Sequence, residues 1–237
     1  KNKSYSFFNK IKASQVYDVV EVTPITKANK LSIKLSNNIL LKREDLQPIF
    51  SFKLRGAYNK LSKLKGKDKK RDVIAASAGN HAQGVAYSAK KLGIKATIVM
   101  PTTTPLIKVN AVKSNGAKVV LIGDNFDEAF LHAKKVAKDK ELVFIHPYDD
   151  PEVIAGQGTI GMEILDAYPD SIDAIFVPVG GGGLIAGLGA YVKNVNPNIK
   201  IIAVEPEDAA CLKEALTFNK RVSLKEVGIF TDGVAVK

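Results

Sequence analysis

Three short segments hold residues whose types and spacing could do chemistry. In SFKLRG, Lys53 stands at an expected helix start between Phe52 and Leu54. A helix N-terminus disfavours a cation, and apolar neighbours disfavour it further, so Lys53 should have a lowered pKa and a free amine able to act as a nucleophile. In SAGNH, the small residues Ser77, Ala78 and Gly79 precede a helix start at Asn80 and His81. Backbone N–H groups there suit a carboxylate or phosphate, and the Asn80 amide adds a hydrogen-bonding group. In GGGGL, Gly180, Gly181, Gly182, Gly183 and Leu184 follow the apolar run AIFVPV and open another helix. Consecutive glycines let N–H groups approach an anion closely, with the helix terminus adding positive potential. Each segment also has a plainer reading. Lys53 would be a solvated lysine, Asn80 a helix cap, His81 a hydrogen-bonded structural histidine, and the glycines a response to tight packing.

The glycine loop admits a rival ligand. Gly181, Gly183 and Ala186 fit the G-x-G-x-x-A dinucleotide pattern, and Glu205 ends the next strand 24 positions after Gly181, where a ribose-binding acid belongs. Taken alone, the loop fits both a nicotinamide dinucleotide (NAD) and a smaller phosphorylated cofactor.

The elements that must position these loops follow from the alternation of short apolar runs with longer amphipathic ones, the pattern of an α/β protein with mainly parallel sheets flanked by helices. Strands are expected at Ile39–Lys42, Val73–Ala76, Ala96–Met100, Lys118–Ile122, Leu142–Ile145, Ala174–Val177 and Ile201–Val204. Helices are expected near Lys53–Leu64, His81–Leu92, Leu106–Ser114, Phe126–Lys138, Glu152–Ala167, Leu184–Val192 and Ala209–Leu216. In such folds, loops at the carboxyl ends of strands line the ligand crevice. Basic, glycine-containing Lys65–Lys70 and proline-rich His146–Pro151 are candidate crossings between domains. They delimit a small inserted α/β domain at 71–148 and a large domain built from 1–70 and 149–237.

Composition narrows the function classes. The net charge is +11, and seven basic residues fall in KLSKLKGKDKKR, yet no aromatic side chains interleave with them to stack bases. A solvated helix end and linker is expected there, not a nucleic-acid partner. Ala174 to Val192 carries no charge, but its proline and six glycines argue for a strand, a loop and a helix, not a membrane span. Cys211 is the single cysteine, which fits a reducing compartment, and a cytoplasmic location is expected. Lys1 at the start and the abrupt end at Val236-Lys237 suggest an excerpt of a longer protein.

LLKREDLQPIFSFKLRGAYNK, SAGNHAQGVA, VPVGGGGLIAG and the final DGVAVK resemble, in order and spacing along nearly the whole chain, the serine/threonine dehydratases. These are pyridoxal-phosphate (PLP) enzymes of fold type II. The first segment and VEPEDAACLKEAL at Val204–Leu216 are most similar to the biosynthetic threonine deaminases. The resemblance favours pyridoxal 5'-phosphate over NAD. It implies that Lys53 carries the cofactor, that Phe52 packs against its ring, and that Asn80 bonds the ring hydroxyl. It further implies that Gly180, Gly181, Gly182, Gly183 and Leu184 cradle the phosphate, and that Gly233 lies beside the cofactor. The backbone of Ser77, Ala78, Gly79, Asn80 and His81 would hold the substrate carboxylate. The implied reaction converts L-threonine to 2-oxobutanoate and ammonia, the first step of isoleucine biosynthesis, with L-serine dehydration or serine racemisation as the alternatives. A homo-oligomer, a tetramer in the family, is implied as well.

Two positions depart from related patterns. Serine racemases place a second catalytic serine where this chain has Ala78, so elimination is expected over racemisation. The same relatives hold a divalent metal partly by carboxylates at and after the EP dipeptide. Glu205 matches one, but Cys211 replaces an expected aspartate, and a hard cation prefers oxygen, so no metal site is expected. The residue that faces the pyridine nitrogen in the family, and the isoleucine-binding regulatory region of biosynthetic members, would both follow Lys237, which leaves the large domain incomplete.

Overall fold

A computed structural model describes residues 3–169, 171–228, 230–231 and 233–237, with side chains described from residue 6 onward. Its principal sheet has four parallel strands: β3 (Val73–Ala76), β4 (Ala96–Met100), β5 (Lys118–Leu121) and β6 (Val143–Phe144), in the order β5-β4-β3-β6. Every residue of β3 is buried, as expected of an inner parallel strand covered on both faces. Strand alternation divides its side chains. Val73 and Ala75 face helices α4 (Asn80–Leu92) and α5 (Leu106–Ser114), while Ile74 and Ala76 face α6 (Phe126–Asp139).

A second, two-stranded parallel sheet pairs β7 (Ala174–Pro178) with β8 (Lys200–Val204), and β1 (Ile25–Lys27) pairs antiparallel with β2 (Leu40–Lys42). The uncharged stretch at Ala174–Val192 is β7, the glycine loop and most of α8 (Gly183–Val195). Among the described residues no helix is long and apolar enough to cross a membrane. In the basic segment, Lys60 pairs with Asp150 at 2.6 Å, Lys63 with Glu152 at 3.1 Å, and Arg71 with Asp68 at 3.0 Å.

The expected strands and helices are present, with ends shifted by up to three residues. Leu142–Ile145 contracts to the two residues of β6, and the helix expected at Ala209 begins instead at Cys211 as α9 (Cys211–Thr217). Sequence periodicity did not indicate α1 (Lys3–Lys12), β1 or α2 (Asn29–Lys34). Tertiary contacts account for α1. Its Ile11 is fully buried in a notch beside Gly158, and Phe8 stacks on Tyr191 of α8 with ring centroids 5.2 Å apart.

The helix that begins at Lys53, α3 (Lys53–Ser62), packs on α7 (Pro151–Ala167) with backbone against backbone. A Cβ added at Gly156 would meet the Arg55 carbonyl oxygen at 2.6 Å, and one at Gly56 would meet the Val153 carbonyl oxygen at 2.7 Å. On the far side of α7, a Cβ at Gly187 of α8 would overlap the Ile154 carbonyl. Glycines at these crossings let three helices approach closely, which gives the start of α3 a rigid platform.

Candidate active site

Lys53 is the first residue of α3, preceded at the cap by Phe52, with no side-chain cap. Its backbone is wedged from the other side by α4, where a Cβ at Gly84 would lie 3.1 Å from the Lys53 carbonyl oxygen. Its Nζ donates to the carbonyl oxygen of Pro147 at 3.0 Å and lies 5.5 Å from the centroid of the Phe52 ring. Burial lowers its pKa from the usual 10.5 to about 8. The direction is as expected, and burial, which the apolar neighbours indicated, is its cause. The Phe52 side chain itself packs into the cluster containing Ile11, Val177 and Leu188.

The SAGNH segment links the end of β3 to the start of α4. Gly79, not Asn80, occupies the cap position, and no side chain caps the helix, so the capping role considered for Asn80 is not what the structure has. The Asn80 side chain is exposed, while Ser77 Oγ accepts from the Gly79 N–H at 3.2 Å. As first-turn groups, the amides of Asn80, His81 and Ala82 have no acceptor within the helix. His81 is buried, and its Nε2–H donates to the Ile145 carbonyl oxygen at 3.1 Å. Burial, followed by the charge of Lys53, pushes its pKa down to about 3, so the ring is neutral. Its Nδ1 has no partner among the described residues.

The four glycines of GGGGL do different jobs. A Cβ at Gly181 would run into the Tyr148 ring, and one at Gly183 would lie 2.8 Å from the Tyr148 carbonyl oxygen. A Cβ at Gly180 would meet Val234 of the C-terminal DGVAVK segment at 3.2 Å. Tight packing therefore explains three of the four. Gly182 is different: it has φ +82°, and nothing lies within 4 Å of an added Cβ. It is the cap of α8, and beyond it the N–H groups of Gly183, Leu184 and Ile185 precede the first intrahelical donor, Ala186, which bonds the Gly182 carbonyl at 3.0 Å. Open space beside a left-handed glycine, and helix-start donors without an intrahelical acceptor, are what an anion cradle requires. An added Cβ at Gly233 likewise has nothing within 4 Å; Asp232 beside it lies outside the described residues.

Glu205 is engaged elsewhere. Its two oxygens accept from the amides of Leu212 at 2.8 Å and Lys213 at 2.9 Å, capping the start of α9. That commitment explains an acid at this position without a ribose. No group of three or more His, Cys, Asp or Glu residues able to hold a metal is found among the described residues.

Two features of the site carried no functional signal in the sequence. The first is the loop from Ile145 to Tyr148, which touches all three motifs: Ile145 receives His81, Pro147 receives Lys53, and Tyr148 covers Gly181 and Gly183. Its sequence indicated only a domain crossing. The second is the fully buried Arg55, two residues after Lys53. It pairs with Glu44 at 2.7 Å and Glu163 at 2.6 Å, bonds Thr159 at 3.0 Å, and shares Glu163 with Lys42 at 2.6 Å. Burial alone would raise the pKa of Glu44, but the hydrogen bonds and charge of Arg55 hold it below the ordinary value. LLKRED supplied Lys42 and Glu44, and SFKLRG supplied Arg55, without revealing their partners.

A buried amine of lowered pKa, helix-start donors beside open space and an exposed Asn80 side chain with no hydrogen bond among the described residues fit a phosphorylated aldehyde. The fold is that of the pyridoxal-phosphate enzymes of fold type II. The chain belongs to the family described as pyridoxal-phosphate dependent enzyme, matching it over residues 16–237. It is 58% identical over 233 residues to "Threonine dehydratase 1 biosynthetic, chloroplastic" of Solanum lycopersicum, covering 98% of this chain and 38% of that protein. It is 53% identical over 237 residues to "L-threonine dehydratase biosynthetic IlvA" of Burkholderia multivorans, covering 99% of this chain and 47% of that protein. Among solved structures, the processed form of threonine deaminase isoform 2 from Solanum lycopersicum superposes with a TM-score of 0.95 at 52% identity, covering 99% of this chain and 68% of that one. The chain thus spans less than half the length of these two curated relatives.

Proposed function

We propose that this chain forms the cofactor-holding part of an L-threonine ammonia-lyase that makes 2-oxobutanoate and ammonia, with L-serine a poorer substrate. The observation that carries the reading is the Lys53 amine, with its pKa lowered to about 8 and held at 3.0 Å by the carbonyl of the loop whose next residue covers the glycine cradle. When bound, pyridoxal phosphate supplies the electron sink that acidifies the substrate Cα–H. Lys53 Nζ, as the free amine, removes that proton. The Ser77–His81 backbone holds the substrate carboxylate through the amides of Ala78, Asn80 and His81, since the Ser77 amide donates to the Val99 carbonyl and the Gly79 amide to Ser77 Oγ. Asn80 orients the cofactor ring, and the cradle from Gly180 to Leu184 holds the phosphate, with Phe52 and Gly233 alongside. Loss of the Cα proton with the Cβ hydroxyl removes one water, and release of ammonia takes one up, so no oxidant is needed.

The division into a small domain at 71–148 and a large one at 1–70 with 149–237 belongs to the same proposal. It is supported by the four-stranded sheet, whose strands all lie between residues 73 and 144. A place in isoleucine biosynthesis is supported by the word "biosynthetic" in the relatives' names. A homo-oligomer and a cytoplasmic location complete the reading, although several similar proteins are named chloroplastic or mitochondrial.

The test is a product assay on L-threonine and L-serine with PLP, coupled to borohydride reduction and peptide mapping. The reading expects 2-oxobutanoate from threonine and a pyridoxyl adduct on Lys53. An adduct on another lysine, or pyruvate from serine with no 2-oxobutanoate from threonine, overturns it.

A further inference from the structure

We infer that the loop Ile145–Tyr148 is a clasp, and that Tyr148 is a positioning residue that sets the distance between Lys53 and the phosphate cradle. The inference rests on the proposed function, because it concerns how the same site is held. The loop offers its main chain to both neighbours: the Ile145 carbonyl takes His81 Nε2–H at 3.1 Å, and the Pro147 carbonyl takes Lys53 Nζ at 3.0 Å. A proline at 147 has no N–H of its own and limits its φ, which favours one orientation of that carbonyl. The turn is then pinned from within. His146 Nδ1 accepts from the amides of Tyr148 at 3.3 Å and Asp149 at 2.9 Å.

The Tyr148 ring is held on two sides. It meets the His146 ring edge-on, centroids 4.8 Å apart at 87°, and His146 in turn meets Phe130 at 5.9 Å and Phe144 at 6.2 Å. The other side of the ring lies on Gly181, and the Tyr148 backbone lies against Gly183. Past the turn, Asp150 anchors the chain by accepting from the amides of Glu152 at 2.8 Å and Val153 at 3.3 Å at the start of α7. One side chain thus fills the gap between the glycine loop and the carbonyl that holds the amine. Its hydroxyl makes no hydrogen bond among the described residues, so the ring, not the oxygen, does the positioning.

The experiment measures PLP affinity by absorbance and fluorescence titration, with melting temperature in parallel, on the parent protein, Tyr148→Ala, Tyr148→Phe and Gly181→Ala. Since an ångström of misplacement is enough to lose binding geometry, Tyr148→Ala should weaken PLP by about tenfold or more, and Tyr148→Phe should stay within about twofold of the parent. Gly181→Ala, whose methyl must push on the ring, should weaken PLP similarly with little change in melting temperature. Pairing it with Tyr148→Ala should restore part of the loss, a rescue that a purely structural role would not produce. If Tyr148→Ala folds poorly, Gly181→Ala carries the test alone. Unchanged affinity in Gly181→Ala, or equal losses in Tyr148→Ala and Tyr148→Phe, overturns the clasp while leaving the proposed function standing. A parent protein that binds no PLP overturns the proposed function, and the clasp with it.

Discussion

The amine of Lys53 donates to the carbonyl oxygen of Pro147 at 3.0 Å, across 94 residues of chain. A carbonyl can only accept, so it satisfies one N–H of the buried amine without supplying a counter-charge. A carboxylate in that place would have stabilised the ammonium form and raised the pKa. The observed pairing leaves burial as the cause of the lowered pKa and keeps the amine available.

The rate at which Lys53 captures PLP should therefore climb through pH 8 and level off above it. At pH 7, a pKa of about 8 in place of 10.5 makes the neutral amine roughly 300-fold more abundant. Stopped-flow absorbance across pH 6–10 reads this directly. A rate still rising steeply between pH 9 and 10 would mean an ordinary, solvated lysine. Lys53→Ala should abolish turnover but retain weak PLP binding through the cradle.

Gly182 offers a test of the cradle that separates charge from backbone strain. Asn and Asp both tolerate positive φ better than other side chains and differ here chiefly in charge. Gly182→Asn should weaken PLP modestly. Gly182→Asp should weaken it by a further factor of about 100 or more, the repulsion expected of a carboxylate about 4 Å from a phosphate at a partly screened site. The gap between the two variants, measured by equilibrium titration, should narrow as salt is added.

Arg55 should matter for stability out of proportion to its distance from the chemistry. Removing one partner of a buried ion network leaves the others uncompensated, so Arg55→Ala should cost about 3–5 kcal/mol in denaturant unfolding at pH 7. The acid side follows from Glu44, whose folded pKa lies below its ordinary 4.5. Its contribution is complete above that unfolded value and is lost as the pH falls through the lower, folded one. Arg55→Ala should thus lose less additional stability than the parent between pH 5 and pH 3.

Ala78 bears on the stereochemical outcome. Racemisation needs an acid or base on each face of Cα, and in the proposed function Lys53 serves one. Incubation with L-serine should give pyruvate with negligible D-serine by chiral chromatography, and Ala78→Ser should raise the D-serine fraction. D-serine formed by the parent as fast as pyruvate would show that another group delivers the second proton.

Most elements from β3 to α6 were legible because their periodicity is local: fully apolar runs such as VIAA read as buried strands, and the amphipathic stripe of α6 marks it to within one residue. Lys53, SAGNH and GGGGL were legible for a related reason, since loop chemistry is written in consecutive residues. The sequence by itself thus determined the α/β class, the three motifs and the family resemblance. Only the tertiary structure decided which glycine leaves open space at the helix start and which three serve packing, because Tyr148 and Val234 reach them from distant segments. It alone brought Arg55 to Thr159 and Glu163 across 104 and 108 residues, and seated Ile11 in the Gly158 notch that explains α1. It also showed how deeply the Lys53 amine is buried, where the sequence indicated only its apolar neighbours. Burial and partnership at such separations depend on how helices and sheets stack, and a window of a dozen residues carries no trace of that.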